Sequence, residues 1–398
     1  MMLALGLRAG FAWDYIHRNP ERALSTIPFL FEPGNIAASI AQGKGFSSPL
    51  RVDTGATAWM TPIYPLLLAA VFRILGLYTF AAFVAAVAMN IVFSTLTCVP
   101  LFFATKRIGG AVVATLAAGL WAIFPNAILL PFESLWDASL AALLAAALLW
   151  ATLALDRSTR LRDWCGYALL WGIALMTNAA LGIVLPFLLG WLAGRARSWK
   201  RPVLAAALIV LCCVPWIIRN YIALGSFVPL RSVMGLSLWI GNNDRVENGW
   251  PGRLHPITNP EERSKYVALG ELAYMREKRR EAIQFMLSHP YIEVRLTASR
   301  FIALWSGGTS TPLRDFMRTQ SWSFRFILLF NLLAAVGALV GIVLLWRRRN
   351  TYAFPAAVFP LVFPLAYYVT LASARYRHPA DPAVLLLAAV VLQGFRGK

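Results

Sequence analysis

Long apolar runs separated by short polar connections dominate the chain. The segments 79–104, 110–127, 134–155, 202–219, 322–346 and 351–371 are each rich in Leu, Ala, Val and Phe and poor in charge. A helix needs about 20 apolar residues to cross a bilayer, or about 17 at the short end, so each run reads as a membrane span. Weaker runs at 1–16, 165–177, 181–193 and 382–394 extend the pattern, the middle two hinged at Thr177-Asn178. The expected fold is therefore all-α and polytopic, with about ten transmembrane helices.

The polar connections alternate in character. One set carries Lys106 and Arg107; Arg157, Arg160 and Arg162; Arg195, Arg197, Lys200 and Arg201; Arg347, Arg348 and Arg349; then Arg396 and Lys398, against only Asp156 and Asp163. Basic residues are retained on the cytoplasmic side of membrane proteins, which places these loops and both termini inside. The remaining acids and all four histidines, His17, His255, His289 and His378, then face outward.

Two outward segments exceed the length of a connector. The first, 14–60, leads into an apolar stretch at 62–76 that is too short to cross and reads as a helix along the outer interface. The second, 220–320, carries its own helix signals. Asn259-Pro260-Glu261-Glu262 supplies a cap, a first-turn proline and a third-position acid. A helix is expected from there to Ser288, stopping at His289-Pro290, with another ending before Gly307-Gly308. The chain so divides into an N-terminal transmembrane core (1–219), an outer mainly helical region (220–320) and C-terminal spans (321–398).

Composition narrows the function. The chain has 398 residues, 59% hydrophobic and 14% charged, where soluble domains are about 45–50% apolar and about 25% charged. No soluble core holds that excess. The net charge of +19 lies mostly between spans, which assigns it to membrane orientation and argues against nucleic acid as a partner. Cys98, Cys165, Cys212 and Cys213 fall in or beside apolar runs with no metal spacing or disulfide framework. Gly43-Lys44-Gly45 is a turn and not a phosphate loop, and HExxH, GxSxG and CxxC patterns do not occur.

Candidate chemistry collects at the outer face. Glu32 follows Phe31 among apolar neighbours; it reads either as a base for an acceptor hydroxyl, its pKa raised by partial burial, or as a solvated acid opening a helix. Glu133 lies at the mouth of a span with Asp137 one turn on, which suits a site or simple interfacial hydration at a helix N-terminus. Arg375, Tyr376, Arg377 and His378 form an outward loop against the positive-inside bias, and paired arginines clamp phosphate by charge-assisted hydrogen bonds. Arg219, in Pro215-Trp216-Ile217-Ile218-Arg219-Asn220-Tyr221, either anchors in the interfacial belt or meets a lipid phosphate. Arg276, Lys278, Arg279 and Arg280 read as a solvated helix face.

Taken in order, these features resemble one family. A short first span, an outer loop with Glu32, then Ile36-Ala37 to Gly43-Lys44-Gly45-Phe46, then Thr61-Pro62-Ile63-Tyr64-Pro65-Leu66-Leu67-Leu68 is similar to the GT-C superfamily of polyprenyl-phosphate-sugar-dependent glycosyltransferases. That group includes the protein O-mannosyltransferases and the aminoarabinose transferases. Arg375-Tyr376-Arg377-His378-Pro379 before the last span is similar too. The resemblance implies a GT-C-like fold and Glu32 as the first-loop acid, which in the family is usually one of a pair. The resemblance leaves a divalent metal as a candidate cofactor, but the acid pair that would hold it is incomplete, since Phe31 stands where the other acid would be. Glu133 matches a second outer-loop acid, and Thr61 replaces a basic residue before Pro62.

By resemblance, the expected reaction is inverting transfer at the outer face of a bacterial inner membrane. The donor would be a polyprenyl-phosphate-linked sugar among the membrane lipids, and the acceptor a glycan, lipid or protein. Glu32 would act as base, Glu133 would assist, and Arg219, Arg375, Tyr376, Arg377 and His378 would bind substrate. Two alternatives differ in class. A transporter or lipid flippase calls for ionisable or helix-breaking residues near mid-bilayer, where this chain offers only Asn90, Pro100 and Pro186. A non-catalytic scaffold predicts binding without turnover.

Overall fold

The structure is a computed structural model and describes residues 1–21, 25, 29–133, 135–156, 158–196, 198–246, 251–307 and 322–394. Most of these lie in helices, and among the described residues the only β contact is the bridge Ser47–Ala56. In chain order the helices are α1 (Met2–Arg18), α2 (Glu32–Ala41), α3 (Ile63–Leu75), α4 (Phe80–Leu96), α5 (Cys98–Ile123), α6 (Pro125–Glu133), α7 (Ala138–Leu155), α8 (Leu161–Thr177), α9 (Leu185–Arg195) and α10 (Lys200–Leu224). They continue as α11 (Met234–Gly241), α12 (Pro260–Leu269), α13 (Glu271–Ser288), α14 (Pro290–Ser306), α15 (Trp322–Arg347), α16 (Ala353–Val362), α17 (Leu365–Val369), α18 (Ala374–Arg377) and α19 (Asp381–Gly394).

Among the described residues, four stretches are long and apolar enough to cross a membrane: Phe80–Ile123, Ala138–Leu155, Lys200–Leu224 and Arg325–Arg347. The first joins α4 to α5 and is broken at Gly110, whose φ is 82°. That break falls just after Lys106 and Arg107, where the sequence pattern turns from one span to the next. The protein is a multi-pass membrane protein. Two expected runs are subdivided. The 134–155 span begins only at Ala138, because Pro131 sits inside the separate helix α6. The 351–371 run splits at Phe363-Pro364 into α16 and α17.

The last helix forms the heart of the bundle. Val384, Leu385, Leu386 and Leu387 of α19 are buried, and it packs on α15, α5 and α16. Small residues permit the closest of these approaches, as in membrane bundles generally. A Cβ on Gly341 of α15 would lie 2.1 Å from the Leu387 carbonyl oxygen. By contrast, Leu329, Leu333, Val336 and Leu339 of α15 point away from the protein, the surface that lipid covers.

The two long segments between spans, one leading from α1 to α3 and one following α10, share one core. Ile36, Leu50, Trp59 and Met60 from the first pack with Leu236, Trp239, Tyr266 and Tyr274 from the second. Asn259 caps α12, its side chain accepting from the Glu262 N–H at 3.1 Å. The helix expected to continue to Ser288 instead breaks at Gly270, where φ of 77° is a left-handed conformation natural to glycine. The break turns Glu271 inward. Its carboxylate accepts from the Ala58 N–H (2.8 Å), Ser232 Oγ (2.7 Å), Tyr266 Oη (2.8 Å) and the Thr57 hydroxyl.

Lys278 departs from the solvated-face reading of its basic run. It is buried, 3.0 Å from Glu262 and 3.1 Å from Glu281, with Nζ 3.8 Å from the centre of the Trp239 ring. Helical spacing explains the division: Tyr274, Met275, Lys278 and Ala282 form the inward stripe of α13, leaving Arg276, Arg279 and Arg280 outside it.

Candidate active site

One cavity of about 380 Å³ lies where these two segments meet the helix ends. Its wall includes Glu32, Asp137, Arg231, His255, Arg375 and Tyr376, with Trp59 and Trp136 as aromatic panels. These residues come from separate parts of the chain, so the site exists only through tertiary packing.

Glu32 is placed by its local sequence. Phe31 is extended (φ −100°, ψ 172°) and Pro33 occupies the first turn of α2, so the chain enters the helix with Glu32 at its opening. Gly34 allows the Phe29 backbone to lie against the helix; a Cβ there would fall 2.0 Å from the Phe29 carbonyl oxygen. Asn35 then ties the helix to the following loop through the Pro49 carbonyl at 2.9 Å.

Glu32 is 3% exposed. Its Oε1 lies 3.0 Å from His255 Nε2. Its Oε2 is buried and makes no hydrogen bond to the described residues. Burial pushes the carboxyl upward, but the His255 contact and the Arg375 charge outweigh it and hold Glu32 below its ordinary value. The elevated pKa expected from partial burial is corrected accordingly: the sequence shows the desolvation and not the histidine contact and arginine charge that offset it. His255 has a second fixed contact, the Ile257 N–H donating to Nδ1 at 3.1 Å, and its ring stands edge-on to Trp59.

Asp137 behaves oppositely. Burial raises its carboxyl above the ordinary value, with Arg231, Arg375 and the Asn178 hydrogen bond only partly compensating. The 2.9 Å bond from Asn178 Nδ2 comes from the hinge between α8 and the 3-10 turn at Ala179–Ile183. One cavity thus holds two carboxyls whose surroundings drive them apart, a pattern that separates acid and base roles.

The cations of the cavity differ in restraint. The Arg375 guanidinium lies 3.8 Å from the centre of the Trp136 ring and donates to Tyr376 Oη at 3.2 Å. Tyr376 stacks on Tyr367 at 5.1 Å, nearly parallel. Arg231 is exposed at the wall and makes no hydrogen bond or ion pair with the described residues.

Four of the seven sequence candidates lie elsewhere. Glu133 is exposed and ends α6, so it falls at a helix C-terminus and not in the first turn of a span; Asp137, one turn on, lines the cavity instead. Arg219 spends its donors on the Thr57 and Phe46 carbonyls, both at 2.5 Å, and lies against the rings of Phe46 and Trp216. Arg377 is fully buried, 2.7 Å from Asp381, and donates to the Leu304 and Trp305 carbonyls. His378 pairs with the same Asp381 at 3.0 Å and stacks on Trp121. Arg377 thereby ties α14 to α19, and His378 ties α19 to α5.

Sequence does not single out Asp137, His255 and Arg231 as one site. Each reads as one of several outward polar residues, and no local spacing connects them. As for a metal, no three His, Cys, Asp or Glu residues converge among the described residues. The Glu32–His255 pair supplies two donors, short of the three protein ligands that catalytic sites use, so no step is assigned to a metal.

Comparison with known proteins agrees with this architecture. Residues 60–218 match the family described as dolichyl-phosphate-mannose-protein mannosyltransferase. No curated protein matches the chain by sequence. Among solved structures, the Archaeoglobus fulgidus oligosaccharyltransferase tethered to an acceptor peptide aligns over 99% of this chain and 50% of its own, at 13% identity and TM-score 0.54. The same organism's AglB with an inhibitory peptide and a dolichol-phosphate aligns over 93% and 46%, at 16% identity and TM-score 0.51. ArnT from Cupriavidus metallidurans bound to undecaprenyl phosphate aligns over 98% and 79% in length, at 13% identity but with a TM-score of only 0.37. The chain spans about half the length of the oligosaccharyltransferase chains it matches. The fold is similar to that of the Archaeoglobus fulgidus oligosaccharyltransferase, in keeping with the all-helical membrane architecture expected from the sequence.

Proposed function

We propose that the protein is an integral-membrane glycosyltransferase that moves a sugar from a polyprenyl-phosphate donor to an acceptor hydroxyl, with inversion, at the outer face of a bacterial inner membrane. The observation that carries this reading is that Glu32, Arg375 and Arg231 line one cavity, with one buried Glu32 carboxylate oxygen unpaired among the described residues. The match of residues 60–218 to mannosyltransferases named for a dolichyl-phosphate donor supports it, as does a GT-C relative solved with a dolichol-phosphate.

In this mechanism the acceptor hydroxyl enters beside Glu32 Oε2. The acceptor oxygen bonds to the anomeric carbon as the bond from that carbon to the phosphate oxygen breaks. Glu32 takes the hydroxyl proton, and the leaving phosphate carries away the electron pair. The transition state is oxocarbenium-like. Arg375 and Arg231 offset the charge gathering on the phosphate, a form of stabilisation that is often the largest contribution in such sites. Trp59 and Trp136 offer flat apolar faces for the sugar ring. Arg377 and His378 support the wall from behind, and the cytoplasmic placement of both termini rests on loop charge.

The test is transfer of radiolabel from a panel of polyprenyl-phosphate sugars in membranes bearing wild type or Glu32→Gln. Label moved by wild type alone is the expected result. Equal transfer by a folded Glu32→Gln would remove Glu32 as base; uptake or lipid translocation without glycosyl product would favour the transporter reading.

A further inference from the structure

The contact between Glu32 and His255 admits two opposite assignments, a carboxylate base held by a histidine or a histidine base held by a carboxylate. The hydrogen bonds decide between them. Because the Ile257 N–H donates to His255 Nδ1 at 3.1 Å, that nitrogen presents a lone pair, and the ring's proton resides on Nε2. Nε2 in turn lies 3.0 Å from Glu32 Oε1, so the proton is donated to the carboxylate. Both ring nitrogens are thereby engaged, and neither is left to take a proton from an acceptor hydroxyl. The free atom of the pair is Glu32 Oε2, buried and without a hydrogen-bond partner among the described residues.

We infer that His255 is the positioning residue of the site: it locks one oxygen of Glu32, aims the other into the cavity and keeps the pair in a single orientation. The inference rests on the transferase reading and adds to it a residue that sequence reasoning does not assign. The device is built from two directions. Trp59 braces the imidazole edge-on, at 5.6 Å between ring centroids, and the turn following His255 fixes its far nitrogen through a main-chain donor. The base and its holder thus come from the two outer segments, and the shared core of Ile36, Trp59 and Tyr266 keeps them in register. The other charged groups facing Glu32 are Arg375 from α18 and, across the cavity, Asp137 and Arg231.

The test compares His255→Leu, His255→Gln and His255→Asn with Glu32→Gln in reconstituted full-length protein, reading kcat, donor KM and the pH profile. Misplacing a reacting group costs on the order of a hundredfold, so His255→Leu should lose about 10- to 100-fold in kcat with donor KM unchanged. Its acid limb should move to higher pH, since the carboxylate keeps its burial but loses its donor. His255→Gln, which can still donate from the same reach, should recover most of kcat; His255→Asn, one carbon shorter, should not.

A His255→Leu variant with wild-type kcat and profile would overturn the positioning role, while an inactive Glu32→Gln alongside it would leave the base intact. Active Glu32→Gln would instead overturn the underlying transferase site. Loss of wild-type transfer on EDTA treatment, with Gln no better than Leu, would reassign the pair to metal binding. Should His255→Leu fail to fold, the Gln–Asn difference decides, and equality between those two overturns the inference.

Discussion

Arg375 and Arg377 stand two residues apart on one short helix and end in opposite surroundings. The Arg375 guanidinium covers Trp136 at 3.8 Å on the cavity wall, whereas Arg377 is wholly buried and bound to Asp381 at 2.7 Å. Positions i and i+2 of a helix point to different faces, so the geometry follows directly from the spacing.

Their substitutions should therefore separate. Arg375→Ala is expected to reduce transfer by about 10²- to 10³-fold, the range seen when one charge-stabilising donor is removed, with unfolding temperature in detergent unchanged. Arg377→Ala strands buried Asp381 and should cost about 3–5 kcal/mol of stability, seen as loss of folded protein before any effect on catalysis is measurable. Equal unfolding temperatures for the two variants would contradict the division.

Asp137 and Glu133 form a second contrasting pair. Asp137 opposes Arg231 and Arg375 electrostatically within the cavity, so its negative charge competes with a donor phosphate. Asp137→Asn should lower donor KM roughly fivefold, the ratio expected for about 1 kcal/mol of relieved repulsion. Because the Asp137 carboxyl is raised, its charge is lost as pH falls, and wild type should converge on the variant at low pH. Glu133→Gln, outside the cavity, should leave donor KM where it is.

Glu32 predicts a distinct pH dependence. Its folded-state pKa lies below the ordinary carboxylate value, about 4.3 for glutamate. The carboxylate therefore stays ionised from neutral pH down to that range, and kcat should show no inflection from Glu32 between about pH 5 and 7. By linkage, the stability this ionisation contributes is present above the unfolded pKa and is lost as pH falls through the lower folded one. Paired pH–rate and pH–melting curves for wild type and Glu32→Gln would check both statements.

Glu271 is the joint between the outer segments. Glu271→Ala leaves the Ala58 N–H and the Ser232, Tyr266 and Thr57 hydroxyls without their shared acceptor. At about 1–3 kcal/mol for a buried polar group left unpaired, a loss of roughly 3 kcal/mol or more is expected. Trp59, Met60 and Thr61 follow Thr57 along the cavity wall, so transfer should fall with the melting temperature. Normal transfer by a destabilised variant would show that the joint does not shape the cavity.

The parts of the site that the sequence exposed share one property, a local anomaly. Glu32 is an acid among apolar residues, and Arg375 belongs to a loop that the charge pattern sets opposite the other basic connections. His255, Asp137 and Arg231 show no such anomaly, and Arg377 shows the same signal as Arg375 while facing the interior. Glu133 ends one helix and Asp137 stands at the start of the next, and only Asp137 lines the cavity. The reversed pKa of Glu32 has the same origin: burial is foreshadowed by flanking Phe31 and Pro33, but the compensating imidazole and guanidinium arrive from distant segments.

By itself the sequence determined the solvent in which this chain folds. Apolar runs long enough for a bilayer, the basic loops between them, and the Asn259-Pro260 cap are encoded in consecutive residues, because helix formation, orientation and capping are governed by local hydrogen bonding and nearby charge. Tertiary structure decided which polar residues meet. A cavity assembled from distant segments depends on how helix ends and outer loops pack into a shared core, and the chemistry of each group depends on the partners that packing delivers. His255 has a proton to give and Glu32 an oxygen to spare only once the Trp59 loop and the Ile257 turn have been brought together.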